Sequence, residues 1–174
     1  MIETVTRPAF VILSDAEVLA RTSLNEISAL TERATAATFY RDEMTPDQMA
    51  ANRRIVDISA ACCLEAAESP NQRLAAAFAH DRLAGYVIAT RHAPDDLELD
   101  WLMVDPAQHG SGVSGLLMQA GMAWLGADQP IWLNVISYNA RAIAFYEKFG
   151  FKVEPLATTP HVVPHSIMRR AGAA

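Results

Sequence analysis

Three glycines, Gly110, Gly112 and Gly115, stand in the pattern G-x-G-x-x-G between an apolar run and an amphipathic stretch. Small residues at a strand-to-helix turn let the backbone approach a phosphate. The helix N-terminus then aims free N–H groups and partial positive charge at it. The same glycines would suit any tight turn, so the pattern alone leaves both readings open. Two nucleotide-binding patterns with this spelling fail on their neighbours. A dinucleotide fold wants the glycines tight against the first strand and an acid about 20 residues on, at the end of the next strand. Here Asp105-Pro-Ala-Gln-His109 intervenes, and the next strand ends in Asn134-Val-Ile-Ser137 without an acid. A nucleoside-triphosphate loop needs Gly-Lys-Ser/Thr, and none follows. A phosphate-binding turn of another kind remains.

The flanking residues supply the strand and helix that such a turn requires. Leu97-Glu-Leu-Asp-Trp-Leu-Met-Val104 alternates at first and ends as a continuous apolar run, as a strand buried on both faces would, and Pro106 closes it. After the turn, Val113, Leu117, Ala120 and Trp124 recur along one helical face. Ile131 to Ile136 is the next strand. Asn139 caps a helix from Ala140 to Phe149, with Lys148 in its last turn and Gly150 beyond its end. Upstream, Pro8 to Leu13 reads as a first strand, and Ser14 or Asp15 caps the segment that follows. Leu24, Ile27 and Leu30 predict one helix from Leu19 to about Thr38. Thr45 and Pro46 open another, which stops near Ser69-Pro70. Arg73 to Ala79 and Leu83 to Ala89 flank His80-Asp81-Arg82 as a hairpin, and Phe151 to Leu156 with Val162 to Met168 form a last strand pair. The order β-α-α-β-β-β-α-β-α-β-β predicts a mixed α/β sheet.

Val104-Asp-Pro-Ala-Gln-His109 and Gly110-Ser-Gly-Val-Ser114, with Leu117 and Met118 downstream, resemble the strand–turn–helix motif V-x-P-x-x-(R/Q)-G-x-G-x-(G/A) of the GNAT superfamily of acyl-CoA-dependent N-acetyltransferases. Asn139-Ala-Arg-Ala-Ile-Ala-Phe-Tyr-Glu-Lys-Phe-Gly-Phe151 resembles its second motif, N-x-x-A-x-x-x-Y-x-x-x-G-F. In order, and about 20 residues apart, the two are far more specific than either alone. His109 stands where the family usually has Arg or Gln, Ser114 where it has Gly or Ala, and Met118 replaces a Leu.

The resemblance implies a single domain over residues 1–174, with a mostly antiparallel sheet of about six or seven strands flanked by about four helices. It implies transfer of an acetyl group from acetyl-CoA to a primary amine, by direct attack in a ternary complex. The backbone of Met103 and Val104 would then hold the pantetheine arm. His109, Gly110, Ser111, Gly112, Val113 and Ser114 would cradle the pyrophosphate, and Asn139 would contact the cofactor. Glu98 would be the general base, with Asp100 on the same strand face behind it. Asn139 and Tyr146 are seven residues apart, nearly two helical turns, so Tyr146 would face the thioester and act as general acid. Substrate choice would fall to the first half and the last hairpin loop, with Phe39 to Glu43 as one wall of the acceptor pocket.

Composition bounds the rest. With 174 residues, 51% hydrophobic and 20% charged, the chain needs neither disulfide nor metal staple to fold. A net charge of −6 argues against a nucleic-acid partner and mildly favours a cationic amine. Cys62 and Cys63 are adjacent and poorly placed to bridge each other, which fits a reducing compartment. Glu3 and the absence of an early apolar run predict no leader peptide, and no apolar run reaches about 18 residues. A cytoplasmic protein without membrane contact is expected, with a homodimer left open. His161 and His165 lie beside Pro160 and Pro164, which exclude a helical metal pair, so no metal is expected. The rival functions are a non-catalytic acyl-CoA-binding or sensing module on the same fold and a nucleotide-dependent oxidoreductase. The missing acid already disfavours the second.

Overall fold

The computed structural model describes residues 9–173, so Glu3 and Pro8 lie outside the described residues. Seven strands form one sheet: β1 (Phe10–Ser14), β2 (Gln72–Ala79), β3 (Arg82–Ala93), β4 (Asp96–Val104), β5 (Ile131–Ile136), β6 (Lys152–Val153) and β7 (His165–Arg170). Their spatial order is β1-β2-β3-β4-β5-β7-β6. Every neighbouring pair is antiparallel except β4 and β5, which run parallel. The helices are α1 (Ala16–Arg21), α2 (Leu24–Phe39), α3 (Pro46–Glu68), α4 (Val113–Leu125) and α5 (Ala140–Glu147).

Two packed layers follow from side-chain alternation along the strands. One face carries Val87, Leu97, Leu99, Leu133 and Val135 against Leu117 and Met118 of α4, with Ile143 and Tyr146 of α5 at its margin. The other face carries Leu74, Phe78, Tyr86 and Ile88 against Ile27 and Leu30 of α2 and Cys63 of α3. The approach of α4 to the sheet depends on Gly85, because a Cβ there would lie 2.6 Å from the Met103 carbonyl oxygen and 2.9 Å from Leu117.

The fold departs from the sequence reading in several places. The single helix expected from Leu19 to Thr38 is two, broken at Thr22–Ser23. Thr22 is extended, and the Ser23 hydroxyl accepts the Glu26 N–H, which starts a new helix. Asp15 precedes α1 without capping it through its side chain. Its carboxylate instead accepts the Leu74 N–H at 3.0 Å and pairs with Arg73, tying the start of α1 to β2. The Thr45 cap holds, with Gln48 completing a capping box. α5 ends at Glu147 rather than Phe149, because the Gly150 backbone at φ +86° turns the chain toward β6. Among the described residues no helix is long and apolar enough to cross a membrane.

Candidate active site

The sheet opens where its one parallel pair should continue. β4 and β5 share a single bridge, Glu98 with Trp132. Beyond it, β4 follows β3 as far as Val104 with Gly85, while β5 follows β7 as far as Ile136 with His165. A wedge therefore separates Trp101–Val104 from Asn134–Ile136, and the β4 edge facing it has no partner strand. Met103 and Val104 lie on that edge, and the glycine turn closes the wide end of the wedge.

The turn is built to leave N–H groups free. Gly110 and Gly112 take φ +82° and +92°, and an added Cβ at either would meet nothing within 4 Å, so the cradle is open. Val113 N–H is taken by the Ser111 hydroxyl and Leu116 N–H by the Gly112 carbonyl. The N–H groups of Gly110, Gly112, Ser114 and Gly115 have no partner among the described residues. The first turn of α4 carries no acid, so its positive dipole end is uncompensated. These donors fit an anionic group such as a pyrophosphate.

Two cations attend the turn. Asp105 accepts the Ala107 N–H at 3.0 Å, which caps a short 3-10 turn at Pro106–Gln108, and Arg33 of α2 pairs with it at 2.9 Å. Burial alone would raise the Asp105 carboxyl, but the Ala107 N–H and Arg33 outweigh it and hold its pKa below the usual range. A depressed carboxyl contributes stability above its unfolded pKa that is lost as pH falls through the folded value. Asp105→Ala should therefore lower Tm at pH 7 by a few degrees, and the gap from wild type should close as pH falls below the usual carboxylate range. A gap that persists in acid would show that Asp105 acts by packing alone.

The second cation is Arg141, in the first turn of α5. Its guanidinium donates to His109 Nδ1 at 3.0 Å. Burial and the neighbouring Arg141 hold His109 below its ordinary pKa, so the imidazole is neutral and Nε2 carries the proton. His109 thus contributes an N–H, and the permanent charge beside the turn belongs to Arg141.

Across the sheet from α4 lie the carboxylates. Asp100 is the extra residue of a β-bulge, because Leu99 pairs with Ala89 and Trp101 with Ile88. Glu98 is 6% exposed and bonds His92 Nε2 at 2.6 Å, and His92 stacks on Trp132 with centroids 6.0 Å apart. Desolvation raises the Glu98 pKa against the pull of His92, and the bond to Glu98 raises His92. Asp100 stays open to solvent but is ringed by protein. Lost hydration, then repulsion from Glu98, raises its carboxyl as well. The structure therefore makes the two predicted carboxylates close electrostatic neighbours on β4. Glu98 is the enclosed, bonded one and Asp100 the accessible one.

Asn139 caps α5 through a bond from the Ala142 N–H at 3.1 Å. Tyr146 lies in the last turn of α5 between Phe145 and Phe151, with ring centroids at 5.5 and 6.3 Å. Its hydroxyl makes no hydrogen bond among the described residues, and burial pushes its pKa up to about 12. Cys62 of α3 is raised by burial and then by Asp100, and burial pushes the Cys63 thiol up to about 12, so neither is poised as a thiolate nucleophile. His161 and His165 stack at 4.2 Å, and no cluster of three potential ligands occurs among the described residues.

The sequence reading passed over three residues that the fold brings to the wedge. Arg141 is a surface position in a motif read only for Asn139 and Tyr146, although a cation two residues past an N-cap beside the turn was a visible signal. His92 is exposed at the end of β3, and its bond to Glu98 depends on the β3–β4 register. Asn134 of β5 enters the sequence reading only where an acid is missing, yet its buried Oδ1 has no hydrogen-bond partner among the described residues.

Residues 30–151 match the family described as Acetyltransferase (GNAT) family. An uncharacterized N-acetyltransferase of Mycobacterium tuberculosis is 34% identical over 106 residues, which cover 59% of this chain and 67% of the relative. Among solved structures, a PaiA N-acetyltransferase from Thermoplasma acidophilum in complex with coenzyme A superposes with a TM-score of 0.71 at 20% identity, over 94% of this chain and 99% of that one. An acetyltransferase from Thermus thermophilus gives 0.64 at 14% identity, over 94% and 97%.

Proposed function

Because the chain belongs to the GNAT acetyltransferase family, we propose that it transfers an acetyl group from acetyl-CoA directly to a primary amine, with both held across the β4–β5 wedge. The observation that carries this reading is the two-sided wedge itself. Unpaired N–H groups and Arg141 stand at its α4 end, and the raised Glu98 and Asp100 carboxyls stand on the face toward α3. Anionic cofactor and cationic acceptor thus have separate entrances that meet in one gap.

Acetyl-CoA, when bound, supplies the activated thioester. The turn from His109 to Ser114 binds the pyrophosphate through backbone N–H groups, and Arg141 adds the charge that His109 lacks. Met103 and Val104 offer their unpaired strand edge to the pantetheine amides. Asn139 fixes the start of α5, which holds Tyr146 beside the gap. Asp100 meets the incoming ammonium, and Glu98, held by His92, raises the basicity of the pair so that a proton can be taken from the amine. Tyr146 hydrogen-bonds the departing sulfur. No acyl-enzyme is invoked, since both thiols lie far above neutrality.

Amine-dependent release of the CoA thiol, measured over amines, amino acids and peptides, tests this function. A protein that CoA stabilises but that turns over none of them would instead be an acyl-CoA-binding or sensing module. Within the mechanism, Glu98→Gln should lower kcat/KM by about 10²-fold. The loss should be greatest where Glu98 is ionised but the acceptor is still ammonium, above the raised Glu98 pKa and below that of the amine. An unchanged pH profile would leave proton removal to Asp100 alone or to water.

A further inference from the structure

At the end of the sheet away from the glycine turn, two adjoining cavities of about 590 and 370 Å³ share Pro130, Arg169 and Arg170. Gly150, Lys152 and Ala171 complete the lining of the larger. Asp95 and Asp96 line the smaller. β4 runs nine residues from Asp96 to Val104, so the groove and the turn lie roughly 25 Å apart along the sheet. The mechanism above uses neither cavity.

Cations gather in the larger cavity although the chain carries a net charge of −6. Lys152 of β6 and Arg169 of β7 stand directly opposite each other in the antiparallel pair, so their side chains leave the same face. Like charges in that position destabilise a sheet. Glu154 bonds Arg169 and relieves one of them, while Lys152 forms no ion pair among the described residues. Arg170, the next residue of β7, leaves the other face. Its Nε donates to the Phe149 carbonyl at 3.1 Å and its Nη1 to the Ala127 carbonyl at 2.6 Å. Both acceptors are neutral and lie just past the ends of α5 and α4, so the guanidinium is held in place with its charge unbalanced.

We propose that Lys152 and Arg170 bind a compact phosphoryl dianion, free phosphate or a phosphomonoester, at a site separate from the cofactor turn. A fixed guanidinium and an ammonium on a flexible stem, reaching in from different strands, suit an anion whose oxygens do not lie in one plane. A phosphoryl group has three such oxygens and close to two negative charges at neutral pH. Arg170 sets the position of the anion and Lys152 closes over it, which also offsets the opposition of Lys152 and Arg169. Asp95 and Asp96 repel negative charge from the smaller cavity, so the ligand is compact and an extended polyanion is excluded.

The test titrates inorganic phosphate, glycerol 3-phosphate and succinate calorimetrically into protein saturated with CoA, at low ionic strength, so that the turn is already filled. Wild type should take up one equivalent of phosphate or glycerol 3-phosphate and bind succinate more weakly than either. Tighter binding of glycerol 3-phosphate would mark a phosphomonoester as the ligand, and the reverse order the free ion; both support the site. Lys152→Ala should weaken binding about tenfold, the ratio expected for losing a bond to a charged group, and Lys152→Glu should abolish it. Kd for CoA should stay within about twofold in both variants, since Lys152 is exposed and far from the turn. Lys152→Glu should also raise the Tm of the free protein by about 2 °C, because opposite charges then face each other across β6 and β7. Undiminished phosphate binding in Lys152→Glu would overturn the proposal. So would a preference for succinate, or no uptake of either phosphate by the CoA-loaded wild type, which would assign any uptake by the free protein to the turn.

Discussion

Tyr146→Phe is expected to lower kcat by about 10²-fold or more while leaving Kd for CoA within about twofold. The substitution is close to an ideal subtraction here. The hydroxyl makes no hydrogen bond among the described residues, so its removal strands no partner, and the ring contacts with Phe145 and Phe151 are kept. Tm should hardly move. Burial pushes the phenol up to about 12, which keeps it protonated at any working pH. A free thiol near 8.5 is the stronger acid in water. A thiolate leaving beside Tyr146 loses the same hydration, however, and its own pKa rises with it, so a hydrogen bond from the phenol gains strength as charge develops on sulfur. An interaction made mainly in the transition state lowers kcat rather than raising KM. Wild-type turnover by the Phe variant on a verified substrate would return Tyr146 to a packing role.

Gly112→Glu should abolish CoA binding. Saturation at 100 times Kd stabilises a protein by about 2.7 kcal/mol, which for this length corresponds to a rise of roughly 5–10 °C in Tm. Gly112 sits at φ +92° with open space where its Cβ would go. A side chain there enters the phosphate cradle, carries negative charge to the helix N-terminus, and strains the backbone by about 1–2 kcal/mol. Gly112→Ala bears the strain without the charge and should keep part of the CoA-dependent shift. Arg141→Ala should also keep part of it, because the backbone donors remain. An undiminished shift in Gly112→Glu would remove the turn from the cofactor site.

Much of this was readable where the signal is local. The capping box at Thr45, the strand Ile131–Ile136, the glycine turn and the Asn139 cap each depend on residues within a few positions of one another. Their spacing carries the geometry. The break between α1 and α2 was hidden because the apolar and alanine positions of both helices share one period, although Ser23 and Glu26 spell a helix start. Asp15 misled for the opposite reason. It looks like a cap, but its carboxylate is taken by the Leu74 N–H, far away in the chain.

The roles at the wedge were the least legible. That β4 and β5 pair only at Glu98 and Trp132 is a property of the whole sheet, with β3 holding one strand and β7 the other. The His92–Glu98 bond follows from the β3–β4 register, and the contact of Arg141 with His109 joins α5 to the glycine turn. A motif can name Tyr146, since a helix fixes it relative to Asn139. No motif could say that Asn134 would end with a buried oxygen and no partner among the described residues.

The central claim is direct transfer between two ligands held in one gap, and a single-turnover experiment tests it most closely. Protein in excess is mixed with acetyl-labelled acetyl-CoA, with and without an amine that supports turnover, quenched in acid, and the label is located. The account predicts label on the amine and none on the protein at any time, with no CoA thiol released while the amine is absent. Label on Cys62 or Cys63 before the amine is added, or thiol release without it, would contradict direct transfer.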